Sequence, residues 1–150
     1  MEDLVIDSGS AMKQRVIDAF KKEFAPIESK FEIMDLLDNN SPMDYKTIDL
    51  LKLPSAENNI VWHPGVYVFI GDDKVYRVGV SMRNSRYRVM EHIKVQTQQN
   101  GYCIGDIDCY SDKSILLFNV KKRDDRHWLL ALEVYLETEF KPLIKAGRIG

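Results

Sequence analysis

Tyr67, Arg77, Arg88, His92 and Glu133 are the side chains whose types and spacing suit chemistry on an anionic group. A guanidinium is permanently charged and grips oxyanions through a planar fork of N–H donors. Histidine, with an ordinary pKa of about 6.5, can take or give a proton near neutral pH. Tyrosine, near 10, is a poor base unless positive charge lowers its pKa. On a helix, Glu133 falls within about 60° of Leu129, Leu136 and Phe140, which places a carboxylate inside an apolar stripe. That costs several kcal/mol unless a cation meets it. A salt bridge to Arg88 or Arg77, or a side chain reaching out from the stripe's edge, would satisfy it. Arg83, Arg86 and Arg88 surround Tyr87, a basic stretch with an aromatic in it that suits either a nucleic-acid backbone or a solvated helix start.

These residues need a scaffold, and the stretch Gly65 to Ser81 predicts a β-hairpin. Val66, Val68 and Ile70 alternate with Gly65, Tyr67 and Phe69, the two-residue period of a half-buried strand. Gly71, Asp72 and Asp73 have turn chemistry, and Lys74 to Ser81 supplies the second strand. A three-residue loop over 71–73 sets Val68 across from Tyr76, Val66 across from Val78 and Tyr67 across from Arg77. Gly79 and Ser81 continue the polar face. A helix from about Asn84 presents Arg88 and His92 four apart on one side, so tyrosine, arginines and histidine converge above the hairpin.

Gly65-Val66-Tyr67, Arg77-Val78-Gly79, Arg88, His92, and Glu133 nine residues before Pro142 follow one another in an order that resembles the GIY-YIG nuclease domain. The likeness runs from roughly Trp62 to Lys145. The family's second tyrosine falls on Arg77, the segment between Gly79 and Arg88 is one residue longer than usual, and Lys145 stands where asparagine is common. The resemblance implies a small α/β (α+β) fold over residues 60–150: a three-stranded mixed or antiparallel sheet, built from the hairpin and a strand near Ser114–Val120, flanked by helices. It implies a metal-dependent endonuclease that hydrolyses DNA phosphodiesters. Glu133 would hold Mg²⁺ (or Mn²⁺), and Tyr67 would activate water. Arg88 would bind the phosphate, and Arg77 would bind it too or stabilise a phenolate. His92 would assist as a base or hold substrate, and Ser81, Arg83 and Arg86 would contact the DNA. Loss of the second tyrosine leaves open a catalytically impaired nucleic-acid-binding or protein-interaction module on the same fold. Tyr67 as a packing residue and His92 as a hydrogen-bonded structural residue also remain open.

The rest of the chain sets the context. Its 150 residues, 45% hydrophobic and 29% charged, suit one ordinary globular core with an appended arm. A net charge of −2 provides no global attraction for a polyanion, so a nucleic acid would be held by a local patch. The acidic start MEDLVIDSGS does not read as a signal peptide, and no apolar run reaches the ~18 residues of a membrane span. Cys103 and Cys109 lack paired zinc spacing with the scattered histidines. They read as free thiols in a reducing compartment, the cytoplasm. Residues 1–59 read as an N-terminal helical arm. Met12, Val16, Ala19, Phe20 and Phe24 recur at helical spacing, and beyond Pro26 the stripe resumes through Ile27, Phe31 and Met34 to Asp38. A short helix from Ser41-Pro42 to Leu51 and a linker over 53–59 follow. These stripes would pack on the core or on each other, or form a homodimer interface. Past His92 the helix runs toward Gln99 with Asn100-Gly101 as its cap. Tyr102–Lys113 reads as a solvated loop, and Ser114–Val120 as a strand at the sheet centre. The last helix spans Arg126–Phe140, ending at Pro142.

Overall fold

The N-terminal apolar stripe forms α1, Ser8–Glu23, in the computed structural model, which describes residues 8–37, 42–43 and 60–145. Met12, Val16 and Phe20 lie on one side of it, and all three are buried together with Phe24. Pro26 stops the helix, and a 3₁₀ turn, Ala25–Lys30, follows. The next segment departs from the expected helix: Phe31–Asp35 is a strand, β1. It pairs antiparallel with β6, Lys113–Val120, from Phe31 opposite Val120 to Asp35 opposite Leu116. Phe31 and Ile33 point toward α1 while Met34 packs on the other face, a two-residue alternation that the three-residue spacing of Phe31 and Met34 concealed. Asp35 ties the region together. One oxygen accepts from the Leu37 and Ile115 amides (2.9 and 3.1 Å), and the other meets Lys13 Nζ at 3.0 Å. The region read as an N-terminal arm gives α1 and β1 to the same core as residues 60–145, so these stripes pack on the core. The short helix expected over 41–51, and the linker after it, lie outside the described residues.

The sheet has four strands rather than three, all antiparallel, in the order β1-β6-β2-β3. β2 is Gly65–Gly71 and β3 is Lys74–Ser81. As its continuous apolar run predicts, β6 is an inner strand, buried from Ser114 to Val120. The hairpin turn is shorter than expected. Gly71 stays in the strand opposite Lys74, and Asp72 and Asp73 alone make the turn, at φ 50° and 63°. Aspartate tolerates this left-handed conformation, and two such residues match the twist of a two-residue hairpin.

After Asn84, α2 spans Ser85–Val95 and closes on Gln96 at φ 54°, short of the expected Gln99. Asn100 and Gly101 (φ 54° and 84°) are not its cap. They turn a small hairpin between β4, Gln98–Gln99, and β5, Tyr102–Cys103. A 3₁₀ segment, Ile104–Cys109, leads back to β6. The final helix begins as a 3₁₀ turn over Arg123–Trp128 and becomes α3 at Leu129–Phe140. Helices α1 and α3 cover the face carrying Val66, Val68, Ile70, Val78, Leu116 and Phe118, into which Leu129, Leu132 and Leu136 pack. The face carrying Tyr67, Phe69, Ile115 and Leu117 meets Val89, Met90 and Ile93 of α2 and the 104–109 turn. Cys103 and Cys109 are free thiols. No described helix is long and apolar enough to cross a membrane.

Candidate functional site

Because β2 alternates, Tyr67 and Phe69 leave the face that α1 covers and enter the one under α2. Tyr67 does not stand opposite Arg77, as a three-residue loop would have it. It stands opposite Gly79, and Arg77 stands opposite Phe69. The two-residue turn moves the register by one, and a bulge between Phe69 and Ile70 moves it by one more, leaving Tyr76 without a partner residue. The bulge also turns Tyr76 inward. Expected on the opposite face, it joins the Tyr67 cluster, and its hydroxyl lies 3.2 Å from that of Tyr110. Gly79 then has a definite task. A Cβ there would sit 2.3 Å from the Tyr67 ring and hydroxyl, so the ring lies flat across β3 only where a side chain is missing.

Helix α2 supplies the other half. Ser81 Oγ accepts from the amides of Arg83 (3.2 Å) and Asn84 (2.9 Å), and Asn84 Oδ1 accepts from Tyr87 N–H at 3.0 Å. This capped start fixes the helix over the hairpin. One turn apart, Arg88 and His92 then face Tyr67. The Tyr67 hydroxyl lies 2.9 Å from His92 Nε2, and His92 Nδ1 lies 2.6 Å from Thr97 Oγ1. Phe69 meets the imidazole edge-on, with ring centres 6.2 Å apart. His92 is 4% exposed. Burial first, then the charges of Arg77 and Arg88, push its pKa down to about 3, so the ring is neutral and carries one N–H. With that proton on Nδ1 toward Thr97, Nε2 is free to accept from Tyr67. Burial pushes the Tyr67 hydroxyl up, against the pull of Arg77 and then Arg88.

The arginines differ in setting. Arg88 is half exposed and holds Glu91 Oε1 at 3.0 Å. Arg77 is 9% exposed, and its Nη1 donates to the Lys145 carbonyl at 3.1 Å. That carbonyl belongs to a strap along the outer edge of β3. There the Leu143 and Ile144 amides donate to the carbonyls of Val75 and Tyr76, at 3.1 and 2.7 Å, and the Lys145 amide donates to Gln99 Oε1. Arg77 Nε, also buried, has no hydrogen-bond acceptor among the described residues. A buried donor of this kind is expected to be met by a ligand or water.

The chain matches no family model, no curated protein and no solved structure.

Of the residues expected to act, the structure brings together Tyr67, Arg77, Arg88 and His92. Glu133 is 3% exposed on α3, whose leucines pack on the opposite face of the sheet. Tyr135, on the same helix, meets Phe24, the residue just after α1, with ring centres 5.9 Å apart. By helical geometry Glu133 then lies on the flank away from α1, toward β3. Arg83 is exposed, and its carbonyl accepts from Arg123 Nη1 at 3.2 Å. Arg86 departs from the expected exposed patch. It is 5% exposed, with its guanidinium 5.2 Å from the Trp62 ring centre, because its position in the first turn of α2 faces the Ile60–Trp62 turn. Ser81 uses its hydroxyl to build the entry to α2. Thr97 and Phe69 complete the site without having been singled out, and Gly79, expected on the polar face, makes room there for the Tyr67 ring. Thr97 comes within reach only because Gln96 reverses the chain in a left-handed conformation, and Gln is not a residue that announces such a turn.

Proposed function

We propose that the chain is a metal-dependent DNA endonuclease of the GIY-YIG kind. The observation that carries this reading is the Tyr67 hydroxyl 2.9 Å from Nε2 of a neutral, buried His92, with the charges of Arg77 and Arg88 acting on both. A phosphodiester entering beside half-exposed Arg88 brings negative charge that offsets the field of the two guanidiniums. That offset raises the His92 pKa from its depressed value and makes Nε2 a better acceptor. Tyr67 then passes its proton to Nε2 as it takes one from water. The resulting hydroxide oxygen bonds to phosphorus, the opposite P–O bond breaks, and the leaving oxygen takes a proton from solvent. Arg88 and Arg77, with fixed positive charge, stabilise the negative charge that builds on the phosphorus oxygens.

Glu133 is the candidate metal ligand. No group of three or more His, Cys, Asp or Glu side chains gathers among the described residues. Mg²⁺, however, takes one or two carboxylates and completes its shell with waters and substrate oxygens. Glu133 would supply one such carboxylate, from the β3 flank of α3. When bound, Mg²⁺ or Mn²⁺ would neutralise phosphate charge and favour departure of the leaving oxygen.

A second reading, a nucleic-acid-binding module without catalysis, is favoured by one observation. At the place of the family's second tyrosine, Arg77 is tied to the Lys145 carbonyl and Tyr76 to Tyr110. Plasmid nicking separates the two readings. The wild type is expected to nick with Mg²⁺ and not with EDTA, and Tyr67→Phe and Glu133→Gln are expected to lose at least a hundredfold in rate while still binding DNA. A wild type inert at full DNA occupancy would establish the binding module instead.

A further inference from the structure

We propose that the substrate presents an unpaired nucleotide next to the scissile phosphate, and that Tyr87 stacks on its base. This rests on the reading of the site as one that handles DNA, and it specifies which DNA. Tyr87 is 62% exposed, the most exposed aromatic side chain among the described residues. It is also firmly based, since its amide is held by Asn84 Oδ1 in the first turn of α2. Cationic side chains flank it along the chain. On one side are exposed Arg83 and Arg123, whose guanidinium reaches the Arg83 carbonyl. On the other is Arg88, half exposed and acting on the Tyr67 hydroxyl. Met82, 37% exposed, adds apolar surface at the same corner. Glu91, one turn on from Tyr87, has its carboxylate held by Arg88.

Buried Arg86 is thus replaced at the surface by Arg123, and the cations form a path leading to Tyr67 with one bare ring along it. Arginines along such a path suit successive phosphates, whatever the sequence. The ring suits something else. A base in a duplex is already stacked on its neighbours and offers no face to a side chain standing on a convex helix. An unpaired base does, and stacking on an aromatic side chain is the usual way proteins hold one. Tyr87 and Arg88 are consecutive on α2, so the nucleotide adjoining a phosphate held by Arg88 would lie next to Tyr87.

The test is equilibrium binding, by fluorescence anisotropy in EDTA so that nothing is cut. The probes are a labelled duplex, the same duplex with a single-nucleotide bulge, and the single strand. The bulged and single-stranded probes should bind more tightly than the duplex. Tyr87→Ala should weaken binding to both by about fivefold to a hundredfold and leave the duplex within about twofold, and Tyr87→Phe should restore them. Arg83→Ala and Arg123→Ala should instead weaken all three probes alike and flatten the salt dependence. Melting temperatures check that each variant folds. Equal binding of all probes, or a Tyr87→Ala loss shared by the duplex, would overturn the inference. If such a protein still nicks duplex plasmid, the nuclease reading stands without it. A preference for unpaired probes that depends on Tyr87, in a protein that never cuts, would support stacking and overturn the hydrolase. Failure to bind any probe overturns both.

Discussion

The two faces of the central sheet are made by the same strands and do opposite work. Toward α1 and α3 the strands present Val66, Val68, Ile70, Val78, Leu116, Phe118 and Val120, and the helices answer with Met12, Val16, Phe20, Leu129, Leu132 and Leu136. Toward α2 they present Gly65, Tyr67, Arg77, Gly79 and Asn119, with buried Ser85 and His92 on the helix. The first face needs volume and apolarity, and many sequences could supply them. The second needs particular atoms in particular places, most of them held by a hydrogen-bond partner. Ser85 Oγ donates to Asn119 Oδ1 at 2.6 Å, Asn119 Nδ2 donates to the Ile60 carbonyl, and His63 Nδ1 lies 2.8 Å from the Val120 carbonyl. Buried polar groups are tolerable only when satisfied in this way, and the same satisfaction fixes their geometry. One face therefore holds the fold, and the other uses that stability to keep polar groups where water would otherwise take them.

Substitutions can separate the two faces. The largest effect should come from Phe20→Ala, because this fully buried ring touches Phe24, Phe31 and Phe118. A loss of about 3–5 kcal/mol is expected, read by denaturant unfolding. The NMR shifts of His92 should hardly change in the folded fraction, and a large change would show that the faces are coupled. Gly79→Ala strikes the other face. Its methyl meets the buried Tyr67 ring, so a cost of about 1–3 kcal/mol is expected. The decisive readout is displacement of the Tyr67–His92 contact, with the proposed nuclease activity falling further than stability does. An alanine variant of full activity would remove the reason given for a glycine there.

The smallest effect at neutral pH, His92→Gln, is the sharpest in its pH dependence. His92 stays neutral in the fold down to about pH 3, whereas in the unfolded chain it takes up a proton near 6.5. Its contribution is therefore complete above about pH 6.5 and is lost as pH falls toward 3, by at most about 1.4 kcal/mol per pH unit. Glutamine cannot take the proton. Unfolding curves of the two proteins should have matching pH slopes above 6.5, with the wild type losing stability faster below it. Parallel slopes throughout would mean that His92 titrates normally in the fold.

The hairpin strands, the central β6 and the approach of Arg88 and His92 to Tyr67 were legible because each rests on a regular period. What escaped lies where the period breaks. Asp72 and Asp73 adopt positive φ without a glycine, and the bulge at Tyr76 is unmarked by residue type. Together they shift the hairpin register by two, so that Tyr67 pairs with Gly79 and Arg77 with Phe69. Phe31–Asp35 became a strand because β6 offers it a partner 80 residues or more away in sequence, a tertiary effect that local spacing cannot carry. Arg86 shares its charge with its neighbours, and only its place beside Trp62 turns it inward.

The strap that holds Arg77 also bears on how the protein behaves in concentrated solution. β3 is an outer strand, and outer strands offer open backbone groups on which another chain can add. Leu143 and Ile144 occupy the edge at Val75 and Tyr76, and Ile144 is almost wholly buried there. A protease cut between Phe140 and Leu143 would uncover those carbonyls beside an apolar groove. The first sign of damage would then be self-association through paired edges, appearing while the core beneath is still folded.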